Sequence, residues 1–140
     1  MKNAIHLTDV YRKKEAAEIL YRLLAGRSKH VNISHRKMPS RHEHLAFVRS
    51  RPYKAWYLIQ IAPKEYAGGI YLSKTGEIGI FLFKEHQGKG LGKKAVEALM
   101  KKHRMVKRFL ANVSPKNSRS IEFFNGLKFK HIQNTYEFMR

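Results

Sequence analysis

The stretch that most constrains the fold is residues 78–100, IGIFLFKEHQGKGLGKKAVEALM. An apolar run ends at Phe83, three glycines follow among basic residues, and Leu91, Ala95, Val96 and Leu99 then recur at helical spacing. A strand that leaves through such a loop into an amphipathic helix commits the chain to an α/β layer, because the helix must lay its apolar stripe on the sheet. The loop itself suits an anion. Gly88, Gly90 and Gly92 allow close backbone approach, and the helix start adds unsatisfied N–H groups and partial positive charge. Two familiar phosphate loops fail on spacing. For G-x-x-x-x-G-K-[ST], Lys93 stands five residues after Gly88, where the second glycine is needed. For G-x-G-x-x-G, Lys93 occupies the third glycine position.

The flanking elements follow from local pattern. AIHL at 4–7 reads as a first strand, and Asp9 offers a helix cap ahead of Val10, Ala16, Ala17, Leu20, Leu23 and Leu24, with Gly26 as the stop. Residues 27–39, RSKHVNISHRKMP, are long and polar for a connection, which marks a candidate binding loop. Ser40 and Glu43 have capping-box spacing for a second helix that ends before Pro52. KAWYLIQIA, GGIYLS and GEIGIFLF form an antiparallel meander with turns at PKEYAG and KTG. Beyond the glycine loop come a helix at 91–103, a buried strand RFLANV at 108–113, and a short helix capped by Asn117 or Ser118 and closed by Gly126. LKFKHIQ and TYEFM read as a closing hairpin. The order βααβββαβαββ predicts a single α/β domain over residues 1–140, a mixed, mostly antiparallel sheet flanked by helices.

Composition narrows the chemistry. The absence of cysteine excludes disulfides and thiol nucleophiles and suits a reducing compartment. Eight histidines show no metal-ligand spacing, and His42 and His44, two apart on a helix, point to different sides, so no metal site is expected. No apolar segment approaches the roughly 20 residues that span a bilayer, and no apolar run precedes the N-terminal charges, which predicts a cytoplasmic protein without a membrane partner. Lys and Arg number 29 against 10 acids, a formal net charge of +19. Such a field draws polyanions. The cations are scattered in short clusters with no RNA-binding signature, so nucleic acid enters as a secondary partner.

Gln87, Gly90 and Gly92 form the pattern Q-x-x-G-x-G between an apolar strand and a helix, which resembles the acetyl-CoA loop of the GNAT acetyltransferase superfamily. ANVSPKNSRSIEFFNGLKFK at 111–130 is similar to that superfamily's later motif, a strand ending in Asn followed by N-x-x-S into a helix. The resemblance implies a GNAT-type sheet whose fourth strand splays from the fifth, with the pantetheine arm of acetyl-CoA, the cosubstrate, in the gap. It assigns Phe81, Leu82 and Phe83 to the arm, Gln87, Gly88, Lys89, Gly90, Leu91, Gly92 and Lys93 to the pyrophosphate, and Asn112, Asn117 and Ser120 to the other side. Phe81 and Phe83 read equally as ordinary core, and Asn117 as a plain helix cap.

The activity implied is acyl transfer to a primary amine. Glu77 is the first candidate base, since two-residue alternation puts it on one face with Gly79, Phe81 and Phe83; it also reads as a solvated turn carboxylate. Many members carry a tyrosine where this chain has Phe124, so Tyr136 and Ser120 stand as substitute proton donors. His35, in the long loop, is a candidate for orienting or deprotonating the acceptor. Lys128 replaces a usual glycine while Gly126 lies two residues earlier, which predicts an earlier helix stop. Arg27, Lys29, His30, Arg36 and Lys37 fringe the loop and favour an anionic, phosphate-bearing small acceptor. The alternatives are acetylation of a nucleic acid or protein, or a non-catalytic acetyl-CoA-binding module. Oligomeric state stays open, because apolar residues on both faces of 56–59 fit a central strand without a dimer.

Overall fold

The computed structural model describes residues 4–26 and 38–140. Among these, strands β1 (His6–Asp9), β2 (Ala55–Ala62), β3 (Glu65–Leu72) and β4 (Ile78–Leu82) form one antiparallel sheet in chain order. Helices α1 (Ala16–Ala25), α2 (Arg41–Arg49), α3 (Leu91–Lys102) and α4 (Ser118–Gly126) accompany it. The alternation along β2 sorts the layers. Tyr57 and Ile59 join Leu7, Ile70, Leu72 and Ile78 under Leu91, Ala95, Val96 and Leu99 of α3. Trp56 and Leu58 pack on the opposite face with Ile19, Leu20 and Leu23 of α1 and Val48 of α2. Both faces of β2 are therefore covered, as its unbroken apolar run implied.

Local chemistry sets the boundaries, with some corrections. Ser40 and Glu43 do form a capping box, Glu43 N–H donating to Ser40 Oγ at 3.1 Å and Ser40 N–H to Glu43 Oε1 at 2.8 Å. Asp9, however, caps a 3₁₀ turn (Val10–Arg12), accepting from Tyr11 N–H at 2.9 Å. Lys13 is extended after it, and α1 starts only where the buried stripe resumes at Ala16. The PKEYAG turn shrinks to Pro63 and Lys64, because β3 already pairs from Glu65 opposite Ala62.

The expected strand at 108–113 is reduced to one parallel bridge between Leu110 and Glu77. Ile78 N–H donates to Leu110 O at 2.7 Å and Leu110 N–H to Gly76 O at 2.8 Å. The expected closing hairpin does not form either, and residues 130–140 are exposed throughout. A hairpin there would need a fifth-strand ladder to extend, and a single bridge offers none. The observed order is βααβββαα rather than βααβββαβαββ.

Gly126 does not stop α4. The helix runs through it to Leu127, and Lys128 takes the left-handed position at φ 73°. Phe129 N–H donates to Phe124 O at 3.0 Å and Lys128 N–H to Asn125 O at 3.0 Å, while the Phe124 and Phe129 rings meet edge-on at 5.1 Å. These are the paired bonds and apolar contact of a Schellman stop, built on lysine.

Candidate functional site

A short 3₁₀ turn (Lys84–His86) leads from β4 into the glycine loop. Gly88 and Gly90 have φ of 75° and 79°, and Gly90 is the N-cap of α3. No side chain caps this helix, so its first N–H groups lack an internal acceptor. A Cβ at Gly88 or Gly90 would meet nothing within 4 Å. These glycines serve backbone conformation and open access, not packing. The result is a concavity of N–H groups backed by the positive end of the α3 dipole. Gly92 serves packing instead: a Cβ there would lie 3.1 Å from Phe123 Cε1 and 3.7 Å from Leu82 Cδ1. Its bare Cα lets α3 begin against α4 and β4, with buried Leu91 anchoring the turn and exposed Lys89 and Lys93 adding charge.

Gln87 connects the parts. Its Nε2 donates to Leu82 O at 3.2 Å, and its Oε1 accepts from Arg119 Nη1 at 3.4 Å. Arg119 escaped the sequence reading; the signal was a cation in the first turn of the N-x-x-S helix.

Among the described residues, the edge of β4 beside the loop has no backbone partner, and its Leu82 O is met only by the Gln87 side chain. Ile78 N–H bonds outward to Leu110, while Phe83 N–H donates to Ala67 O on the β3 side at 2.8 Å. Antiparallel alternation then turns the backbone of Ile80 and Leu82 outward and that of Phe81 and Phe83 inward. Among the described residues no backbone bond joins Ile80 or Leu82 to 111–114, so the chain diverges from β4 after Leu110. Leu82 stands where expected, but its partner on this edge is Ile80. Phe81 and Phe83 pack in the core on the α1 and α2 side, in keeping with their ordinary-core reading.

The remaining candidates separate. Glu77 Oε2 accepts from Asn112 Nδ2 at 2.7 Å, and Oε1 from Thr75 Oγ1 at 3.0 Å and Ser73 Oγ at 3.1 Å. Asn112 first, then Thr75 and Ser73, hold this carboxyl below its ordinary value of 4.5. A carboxylate so engaged is a weak base and a good tether between the β3–β4 turn and the segment after Leu110. Asn117 Oδ1 accepts from Ser120 N–H at 3.2 Å, the plain-cap reading. Phe124 is held between Phe123 and Phe129. Tyr136 is 89% exposed and brings its hydroxyl to none of these groups. His35, with Arg27, Lys29, His30, Arg36 and Lys37, lies outside the described residues. Among the described residues no three His, Asp or Glu side chains gather as metal ligands, and no helix is long and apolar enough to cross a membrane.

A family model described as FR47-like protein matches residues 58–138, from β2 through the loop and α4. The chain belongs to the FR47-like family. Solved structures agree on the GNAT fold of this FR47-like protein. An acetyltransferase from Thermus thermophilus is 20% identical with a TM-score of 0.75, covering 96% of this chain and 92% of its own. A domain from Methanocaldococcus jannaschii is 22% identical with a TM-score of 0.79, covering 96% and 93%. Spermidine N-acetyltransferase from Vibrio cholerae, in complex with CoA and spermine, is 14% identical with a TM-score of 0.73, covering 87% and 78%. Among curated proteins none matches the sequence.

Proposed function

We propose that this FR47-like protein is an N-acetyltransferase that moves an acetyl group from acetyl-CoA to a primary amine. The observation that carries the proposal is the loop from Gln87 to Lys93. It presents uncapped N–H groups at the start of α3, through two left-handed glycines with open space above them, beside the unpaired edge of β4. An anionic pyrophosphate fits such a cradle, with Lys89, Lys93 and Arg119 supplying charge. The outward backbone of Ile80 and Leu82 suits the amides of a pantetheine arm, and an outward N–H there stabilises the oxyanion of acyl transfer.

The chemistry is attack of a neutral amine on the thioester carbonyl, followed by departure of the thiolate. Glu77 serves as a positioning residue, holding Asn112 at the mouth of the gap. With Phe124 lacking a hydroxyl and Tyr136 in solvent, water takes the amine proton and returns one to the thiolate. The acceptor carries phosphate or another anion, since a chain of charge +19 repels a polycation such as the spermine held by the Vibrio relative.

Calorimetric titration of acetyl-CoA into wild type and Gly90→Glu tests the proposal. The expected result is binding by wild type that disappears in the folded variant, and thiol release that depends on added amine. A folded, CoA-free wild type that binds no acetyl-CoA would overturn it.

A further inference from the structure

At the opposite end of β4 from the glycine loop lies a second basic feature. A hollow of ≈ 280 Å³ is lined by Lys54, Ser73, Lys74, Thr75, Lys107 and Arg108. Its cations come from three separate segments: the approach to β2, the β3–β4 turn and the connection from α3 to Leu110. We propose that this hollow docks the phosphodiester backbone of a nucleic acid, at a site distinct from the glycine loop. The five residues of β4 keep the two sites about 17 Å apart at about 3.3 Å per residue.

Three observations support this. Among the described residues, none of the four cations, Lys54, Lys74, Lys107 and Arg108, forms an ion pair with a carboxylate. Lys54 also acts on its surroundings: His103 lies below its ordinary value through burial first, and then through repulsion by Lys54 and Lys102. The donors also suit a chain of phosphates better than one small anion. The hydroxyls of Ser73 and Thr75 are turned to Glu77, so the hollow offers flexible ammonium groups and a guanidinium rather than a fixed N–H cradle. Lysines used in this way bind mainly by releasing counterions, which gives affinity without base specificity. A lipid surface is the poorer match, because a membrane-docking face needs apolar residues presented outward. Of the apolar residues here, Leu72 is buried and Val106 is half-buried.

The test is fluorescence anisotropy with a labelled single-stranded RNA across a salt series. Lys74→Glu with Lys107→Glu is compared with a charge-matched control, Lys13→Glu with Lys14→Glu, at exposed residues preceding α1. Melting temperatures confirm that both variants are folded. The hollow variant is expected to lose about tenfold or more in affinity at moderate salt, with a log–log salt slope shallower by about 1.4. The control is expected to change less than threefold, and acetyl-CoA titration of the hollow variant to match wild type. Equal losses in both variants would overturn the proposal in favour of a diffuse field. So would absence of RNA binding at low salt, or binding to anionic phosphatidylglycerol vesicles without binding to RNA.

Discussion

Lys128 and Gly126 give a prediction with opposite signs under the two descriptions of how α4 ends. In the structure, Lys128 has φ 73° and Gly126 has ordinary helical backbone with open space where a Cβ would stand. A side chain in the left-handed region costs about 1–2 kcal/mol. Glycine removes that strain but gives back about 0.5–1 kcal/mol in unfolded-chain entropy. Lys128→Gly therefore stabilises by roughly 0.5–1 kcal/mol by that difference. Gly126→Ala adds about 0.5–1 kcal/mol for the same entropic reason in a helical position. The double variant gains about 1–2 kcal/mol, or roughly 3–6 °C in Tm for a domain of this size. Urea unfolding at constant m, with calorimetric melting, measures both terms. If Gly126 were the left-handed stop, Gly126→Ala would destabilise and Lys128→Gly would gain nothing; that pattern would refute the reasoning.

Three further outcomes follow from particular side chains. Leu99, fully buried between α3 and the sheet, is expected to cost about 2–5 kcal/mol on substitution by alanine, and a loss under about 1 kcal/mol by urea unfolding would contradict the packing. Glu77 has a folded-state pKa below its ordinary 4.5, so its contribution is present above that value and is lost as pH falls through the lower folded value. Glu77→Gln should flatten the acid limb of the stability profile, and an unchanged limb would show that the tether contributes nothing. His44 is buried with Nε2 3.1 Å from Ala17 O, and burial is the largest cause of its lowered pKa. Protonation favours the unfolded chain, so stability should decline as pH falls below 6.5 towards the lower folded value. His44→Gln should make that decline shallower, and a decline as steep as in wild type would count against it.

What was legible in the sequence was whatever rests on local period and spacing. The α3 stripe, the meander, the Ser40–Glu43 box and the glycine loop all depend on residues close together in the chain, and each took its expected place. What was not legible depends on partners chosen across the fold. RFLANV has strand composition, yet it pairs only at Leu110 because the chain there turns away from β4. Glu77 shares a strand face with Phe81 by count, but Asn112, 35 residues on, decides where its carboxylate goes. Gly126 looked like a helix stop by residue type, whereas the bonds from Lys128 and Phe129 place the stop two residues later. Arg119 became visible only when α4 was seen beside Gln87.

The edge at Ile80 and Leu82, without a backbone partner, also bears on how the molecule behaves in a crowded solution. An unpaired strand edge is a template for a strand of another chain, and the exposed Ile132, Tyr136, Phe138 and Met139 supply adhesive surface for such an encounter. A bound amide-bearing arm would act as a protecting group for that edge. Without it, mutual repulsion from the +19 charge is the main guard against self-association, and salt weakens it. Ligand supply and ionic strength then jointly set solubility: the ligand-free protein should precipitate at lower salt than the saturated one, with β-rich contacts between copies.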